Sequence, residues 1–396
     1  MNTLEEEYQN YQNHKLEKDI EKFNKLLEYL KNKFPKKNHK QLVKIATKIN
    51  NKLQSKSKRL KTQKSPEDYV IAIQSYNRPD TLQKATLSVL KEYNIHPKKI
   101  HIFLGNKEQK KIYKSKLDRN TYHKLIIGKP GVRNIRNTMG SYFKEGTMVY
   151  FIDDDIYELF ECVYNHQIVL DKLTSLELDP SPENIKKWLK KGNVLRKLPD
   201  LHKFIVDSFT YCQERDAQLF GIYPTHNPYF MKPTNPHNLT QSHSYCSYDL
   251  KYIIGYCCGA IINHSAELRT VDDKEDYERS LKYYLLNGEV IRFNNIVAKT
   301  KCYQEPGGMQ TEGHRSWERV DLSAKYLVAK YPDLCKLKKT NKKKSDKKTG
   351  KPWTEITMRD TRGKKTDNPK VFGVEVLREY TNSIPIDYEE FVKNLY

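Results

Sequence analysis

The chain has 396 residues, with 71 Lys and Arg against 49 Asp and Glu, a formal charge of +22. That length can bury a sizeable core, and one large domain with appendages is the natural arrangement. No run approaches the roughly 20 apolar residues of a membrane helix, and the seven cysteines form no C-x-x-C pair, their odd number suiting a reduced compartment.

The charge is unevenly placed. Residues 1–65 hold 17 Lys and Arg against 7 Asp and Glu, and residues 336–365 hold 13 against 3, so the rest of the chain carries only +2. Two basic appendages on a near-neutral centre point to an anionic macromolecular partner, and nucleic acid fits best. The division expected is a basic helical appendage over 1–65, a catalytic domain over 66–330 and a basic tail over 331–396.

At the start, Leu16, Ile20, Phe23, Leu27 and Leu30 form one helical stripe, Phe34-Pro35 breaks it, and Leu42, Ile45, Ala46, Ile49 and Leu53 form a second. A helical hairpin or a separate nucleic-acid arm both fit. No basic n-region or apolar h-region opens the chain, so a cytoplasmic or nuclear setting is expected, a viral replication compartment included. Tyr69–Ser75 reads as a strand, Thr81–Tyr93 as helix, Lys99–Gly105 as a strand, Glu108–Leu117 as helix and Lys124–Gly128 as a strand, and Gly131 opens a further helix. Met148–Ile152 is an apolar strand that ends in Asp153-Asp154-Asp155. The series predicts an α/β fold with a mostly parallel sheet flanked by helices. Neither G-x-G-x-x-G nor a P-loop motif occurs, so dehydrogenase and P-loop readings have no motif behind them. Ligands of open α/β sheets bind beyond the carboxyl ends of the strands. Clustered carboxylates there suit a hard cation such as Mg²⁺ or Mn²⁺, whose shell a diphosphate can complete. The plainer alternative is an acidic turn capping the next helix.

From Asp68 to Val328 these residues resemble the glycosyltransferase A (GT-A) fold, a Rossmann-like fold. The resemblance implies that Ser75, Asn77 and Arg78 begin the nucleotide site, and that Arg133, Arg136 and Asn137 stand on a donor-contacting helix. It further implies that the triplet is a D-x-D motif, with Asp153 and Asp155 on the metal and Asp154 beside the donor.

Beyond the triplet, Glu183–Lys191 and Leu201–Cys212 read as helices and Gln218–Tyr223 as a strand. Pro224–Asn238, with Tyr229 and Phe230, reads as a loop over the acceptor or an ordinary ordered turn. Tyr252–Ile262 is an apolar run interrupted by Gly255 and Gly259, which permit close approach of another group. Asp272–Arg279 opens a helix through Leu286, and Val290–Val297 follows as a strand. Glu275 and Asp276 sit at that helix N-terminus, where ordinary capping is the alternative to catalysis. The pair resembles the E-D motif of inverting glycosyltransferases, in which one carboxylate is the general base, and Asp276 is the preferred candidate over Glu275. The Gly-rich segment 304–315 reads as a loop able to close over a diphosphate. The resemblance offers His314 as a third metal ligand, and Arg315 and Arg319 as phosphate contacts. Residues 336–351, with nine lysines, read as a solvated loop or tail.

Ser-Tyr-Asn-Arg-Pro, the triplet, Lys-Glu-Asp-Tyr-Glu-Arg and the Gly-Gly-Met segment together resemble a narrower group. These are the glycosyltransferases associated with base-modifying dioxygenases, such as the base J glucosyltransferase. What this implies is transfer of a sugar, glucose first, from a nucleotide-sugar such as UDP-glucose to a hydroxymethylated pyrimidine in DNA. The cofactor would be Mn²⁺ or Mg²⁺, with DNA held through the basic N- and C-terminal segments and no membrane partner. The alternatives are the same chemistry on a protein or glycan acceptor, and an inactive nucleic-acid-binding module of this fold.

Overall fold

The structure, a computed structural model, describes residues 64–231, 245–301, 317–338, 354–362, 370–383 and 388–393, with most of 24–47. His314, Arg315, the 304–315 loop, the lysines of 342–348 and Leu16, Ile20, Ile49 and Leu53 lie outside the described residues. The chain divides into two compact units, Met1–Gln63 and Lys64–Tyr396.

In the first unit the two stripes meet. Leu30, Leu42 and Ala46 are buried together, with Leu27 and Ile45 packed against them. The second helical stretch opens with a reciprocal cap. Gln41 N donates to Asn38 Oδ1 (3.0 Å), and Asn38 N donates to Gln41 Oε1 (3.1 Å).

The second unit is α/β. Its strands are β1 (Val70–Ser75), β2 (Ile100–Leu104), β3 (Lys124–Ile127), β4 (Met148–Asp153), β5 (Ile156–Tyr164), β6 (Asn193–Lys197), β7 (Leu219–Ile222), β8 (Cys246–Ser247), β9 (Cys257–Ile261), β10 (Ile291–Phe293), β11 (Ile296–Thr300), β12 (Cys335–Leu337) and β13 (Ile356–Met358). The principal helices are α1 (Pro79–Lys84), α2 (Thr86–Glu92), α3 (Lys107–Lys116), α4 (Val132–Tyr142), α5 (His166–Ser175), α6 (Pro182–Trp188), α7 (Leu201–Arg215), α8 (His264–Glu267), α9 (Glu275–Asn287), α10 (Trp317–Lys330), α11 (Val374–Thr381) and α12 (Tyr388–Lys393).

One large sheet has the order β3-β2-β1-β4-β9-β7-β10-β8. The pairs among β1 to β4 are parallel, and β9 runs antiparallel between β4 and β7. The sheet is therefore mixed, mostly parallel and compatible with a Rossmann-like fold. Alternation along the strands feeds two cores. Ile71, Ile73, Tyr150 and Ile152 pack with Leu82, Leu90, Ile205 and Phe209 of α1, α2 and α7. Ala72, Val149 and Phe151 pack with Met139, Leu281, Leu285 and Leu327 of α4, α9 and α10. No described helix is long and apolar enough to cross a membrane.

Three expectations change. Val290–Val297 is two strands in two sheets, because Asn294 and Asn295 turn the chain between them. Asn294 Nδ2 donates to Ser247 Oγ (2.8 Å), and Cys162 N donates to Asn295 O (2.6 Å). The residues after the triplet form strand β5, not a capped helix, and β5 joins β6 and β11 in a three-stranded sheet. The described residues after 330 are part of the core rather than a tail, since Cys335, Ile356, Leu377 and Tyr388 are buried in the second cluster.

Gly259 marks a tight crossing. It pairs with Phe220 across β7 and β9, and a Cβ there would lie 2.1 Å from Phe220 Cε1. Gly259→Ala should destabilise the fold by about 1–3 kcal/mol, the usual cost of overpacking. Chemical denaturation of the variant measures it, and an unchanged midpoint would refute the close packing.

Candidate active site

β1 and β4 pair in parallel with Gln74 opposite Asp153, so both strands deliver polar residues to the same edge. Asp154 and Asp155 make the turn into β5, and Thr86 of α2 fixes that turn. Its hydroxyl donates to Asp153 O (2.6 Å) and accepts from Ile156 N (3.0 Å). On the other side, Asp153 N donates to Tyr256 O (2.9 Å).

The middle carboxylate faces inward. Asp154 is fully buried and takes both Nε (3.0 Å) and Nη2 of Arg78. It also accepts from Ser75 Oγ (2.5 Å). The Ser75 proton being used there, the Tyr113 hydroxyl is left to donate to Ser75 Oγ (2.6 Å), while it accepts from Arg78 N (3.0 Å). Burial pushes the Asp154 carboxyl up, to about 7, against the pull of Arg78. The same pairing holds Arg78 above its ordinary value despite its own desolvation. Ser75, Arg78 and Asp154 form an internal clasp, which leaves the Ser75 and Asp154 side chains buried away from any donor. Asn77, at φ 57°, is tied to Gln109 by a reciprocal pair of hydrogen bonds, Asn77 N donating to Gln109 Oε1 at 2.9 Å.

Asp153 ends a buried ladder of alternating charge. Its Oδ1 accepts from Arg136 Nη2 (2.9 Å), and Arg136 Nε lies 3.4 Å from Glu275 Oε1. Glu275 Oε2 accepts from Arg269 Nε (3.2 Å), and Arg269 Nη1 donates to Glu267 Oε2 (2.6 Å). Glu267 Oε1 then accepts from Arg279 Nη2 (2.8 Å) and from the Tyr283 hydroxyl (2.8 Å). The Arg279 guanidinium lies 4.3 Å over the Phe151 ring of β4. Of these side chains only Asp153 opens appreciably to solvent, at 24%, against 5% for Arg136 and 1% for Glu267.

Asp276 is beside this ladder but not in it. Its Oδ2 accepts from the Tyr252 hydroxyl, and Tyr252 stacks on Tyr277 at 4.2 Å. Burial, and then the Glu275 carboxylate, push Asp276 up to about 6, while the Tyr252 hydrogen bond pulls the other way. Gly255 lets the parts meet, because a Cβ there would lie 3.3 Å from both Arg136 Nη2 and Glu275 Oε1 and 3.6 Å from Asp276 Cβ. A half-buried carboxyl raised to about 6 beside a network of paired charges has the character of a general base.

Asp153, Asp155, Arg78, Arg136, Glu275 and Asp276 thus come together around one edge. Arg133 and Asn137 do not join them. Arg133 Nη1 donates to Thr270 O (3.2 Å), and Arg133 Nη2 pairs with Glu389 (3.0 Å). Asn137 is bound both ways to the Arg269 backbone. They line a separate cavity of about 370 Å³ with Leu268, Tyr326 and Tyr388. Arg319 pairs with Asp272 (3.4 Å) rather than standing open for phosphate. Arg269, Tyr252 and Thr86 were not singled out in the sequence. Arg269 had a signal, a lone arginine just ahead of an acidic run.

Among the described residues no group of three His, Cys, Asp or Glu side chains converges to hold a metal. Asp153 and Asp155 nonetheless fit a hard cation in donor type, being all-oxygen ligands that leave positions for a substrate's oxygens. Comparison of the chain with models of protein families, with characterised proteins and with solved structures gives no match.

The ladder predicts acid sensitivity. Arg269 and Arg279 overcome the cost of burial and hold Glu267 down at about 2. A depressed carboxyl stabilises the fold above its unfolded value, so this contribution should be lost as pH falls from about 4.5 towards 2. Glu267→Gln, which leaves buried guanidiniums short of a counter-charge, should cost about 3–5 kcal/mol at pH 7. Urea unfolding at pH 7 and pH 3 tests both, and a variant as stable as wild type would contradict the ladder.

Proposed function

We propose that the protein is an inverting glycosyltransferase of the GT-A kind that moves a sugar from a nucleotide-sugar to a hydroxymethylated pyrimidine in DNA. The observation that carries the reading is Asp276. It is a half-buried carboxyl raised to about 6, held by Tyr252 and placed through Gly255 and Arg136 next to the acidic edge of β4. The resemblance set out above supports the class of reaction, and the two basic segments of the sequence support the polyanionic acceptor.

In this reading Asp276 accepts the proton of the acceptor hydroxyl as its oxygen bonds to the anomeric carbon. The bond from that carbon to the diphosphate oxygen breaks in the same step, and the nucleoside diphosphate leaves. Glu275 is a positioning residue. Held between Arg136 and Arg269, its carboxylate stands beside Asp276 and raises it. Arg78 and Arg136 bring positive charge to the edge where the diphosphate would lie. A divalent cation, Mn²⁺ or Mg²⁺, would be held by Asp153 and Asp155 and would offset the charge of the leaving group. A target base in duplex DNA has to be turned out of the stack to reach this edge.

The decisive test incubates full-length protein with a panel of nucleotide sugars, UDP-glucose included, Mn²⁺ and hydroxymethylated DNA, and analyses the nucleosides by mass spectrometry. Transfer should vanish in excess EDTA, and Asp276→Asn should lower turnover roughly 10²–10⁴-fold, the usual worth of a general base. Full activity of Asp276→Asn would remove Asp276 from the role. Transfer to protein or glycan but never to DNA would move the acceptor to the alternative class.

The pH profile gives an independent check. The base must be ionised, so kcat/KM should rise with pH through about 6. Tyr252→Phe removes a hydrogen bond that favours the charged form, so the acid limb should move to higher pH. An acid limb that stays put or moves down would contradict the Tyr252–Asp276 contact.

A further inference from the structure

β7 runs in the same direction as β4, because each is antiparallel to β9 between them. The chain leaving β7 therefore emerges at the edge that holds Asp153. Further along, Pro228–Phe230 make one short turn against the β6 end of the three-stranded sheet. The turn is bolted down from several sides. Tyr229 N donates to Asn227 Oδ1 (3.0 Å), and Asn193 Nδ2 donates to both Pro228 O (3.0 Å) and Met231 O (2.6 Å). The Tyr223 hydroxyl donates to Phe230 O (3.0 Å), and Met231 is fully buried with Cys162 and Val297.

On this fixed backbone the two aromatic side chains point outward. Tyr229 is 47% exposed and Phe230 53%, with their rings edge to face at 5.2 Å. Lys190 Nζ lies 4.4 Å from the Tyr229 ring centre, and Lys186, Lys187 and Lys191 are exposed on the same stretch of chain. Two large rings held out on a rigid turn forgo burial, which marks a contact surface rather than a slack loop. Their lysine surround selects a polyanion.

We propose that Tyr229 and Phe230 are the acceptor platform, on which a nucleobase of a nucleic-acid strand stacks while Lys190 and its neighbours neutralise the adjoining phosphates. The proposal deepens the transferase reading and rests on it for the identity of the acceptor. Aromatic stacking tolerates any base, so the platform holds the strand without reading its sequence.

The test uses full-length protein and a short single-stranded deoxyoligonucleotide carrying 2-aminopurine, read by fluorescence anisotropy and by quenching of the base. Wild type should bind and quench. Phe230→Leu, which keeps an apolar side chain but no ring, should weaken binding by about tenfold or more and abolish the quenching, while Phe230→Tyr restores both. Lys190→Gln should weaken binding with a shallower salt dependence, by about one unit of slope, and Phe230→Leu should leave the slope unchanged. Equal affinity and quenching for wild type, Tyr229→Leu and Phe230→Leu would overturn the platform, as would binding with no quenching in wild type. If hydroxymethylated DNA is glycosylated with the same KM by Phe230→Leu, the platform falls and the transferase stands. If the oligonucleotide depends on Phe230 while no donor is ever consumed, the platform stands and the transferase falls.

Discussion

The alternating ladder Arg279–Glu267–Arg269–Glu275–Arg136–Asp153 is the constraint on which the candidate site depends. It passes from the inside of α9 and α8 through α4 to the carboxyl end of β4. Each of the four inner members has an opposite charge on either side, and Arg279 at the buried end lies between Glu267 and the Phe151 ring. Removing one rung leaves its neighbours with uncompensated charge in a low-dielectric interior, where the penalty is several kilocalories per mole. The ladder also fixes distances. Gly140 of α4 packs so closely on Glu267 that a Cβ would lie 2.7 Å from Glu267 Cβ, and Gly255 admits the Arg136 and Glu275 side chains in the same way.

That arrangement separates two carboxylates that are adjacent in the chain. Glu275 lies between two arginines, accepting from Arg269 Nε and paired with Arg136 Nε at 3.4 Å. Asp276, one residue on, turns to a tyrosine instead, and burial together with the neighbouring Glu275 raises it. Adjacent carboxylates in such unlike surroundings are a recurrent sign of divided roles in a site. Asp154 and Asp153 are unlike in the same way on the other side of the edge. The first is sealed in its clasp with Arg78 and Ser75, and the second opens to solvent.

Much of this was legible in the sequence. The β-branched runs of β1, β2 and β4 and the helical periods between them announce a parallel half-sheet, and the acidic triplet falls at the carboxyl end of β4 as read. Tyr252–Ile262 announced apolar burial and close approach at Gly255 and Gly259, but nothing in Cys-Cys-Gly-Ala-Ile encodes the antiparallel direction of β9. β5 was hidden because its fully buried residues recur every third position, neither a strand nor a helix period. The C-terminal segment read as a tail because lysine dominates its composition. The sparse Ile356, Leu377 and Tyr388 that seat it on the core give no periodic signal. In the site, Arg136 was legible but Arg133 and Asn137 were not separable from it. They stand four residues apart on one face of α4, turned towards residues 268–270, and only the packing of that helix decides which face meets the acids.

Buried ion pairs are weak evidence for stability, since well-packed apolar residues of the same volume often do as well. A ladder of six such groups therefore calls for another reason to persist, and its open end supplies one. An apolar replacement could hold α4 against α8 and α9, but it could not deliver a guanidinium to Asp153 and a fixed carboxylate to the side of Asp276 from the same set of contacts. The ladder converts the packing of three helices and a strand into charge at defined points on one edge of the sheet. In the reading proposed above, preorganised charge of that kind would stabilise a departing diphosphate and keep a neighbouring carboxyl basic.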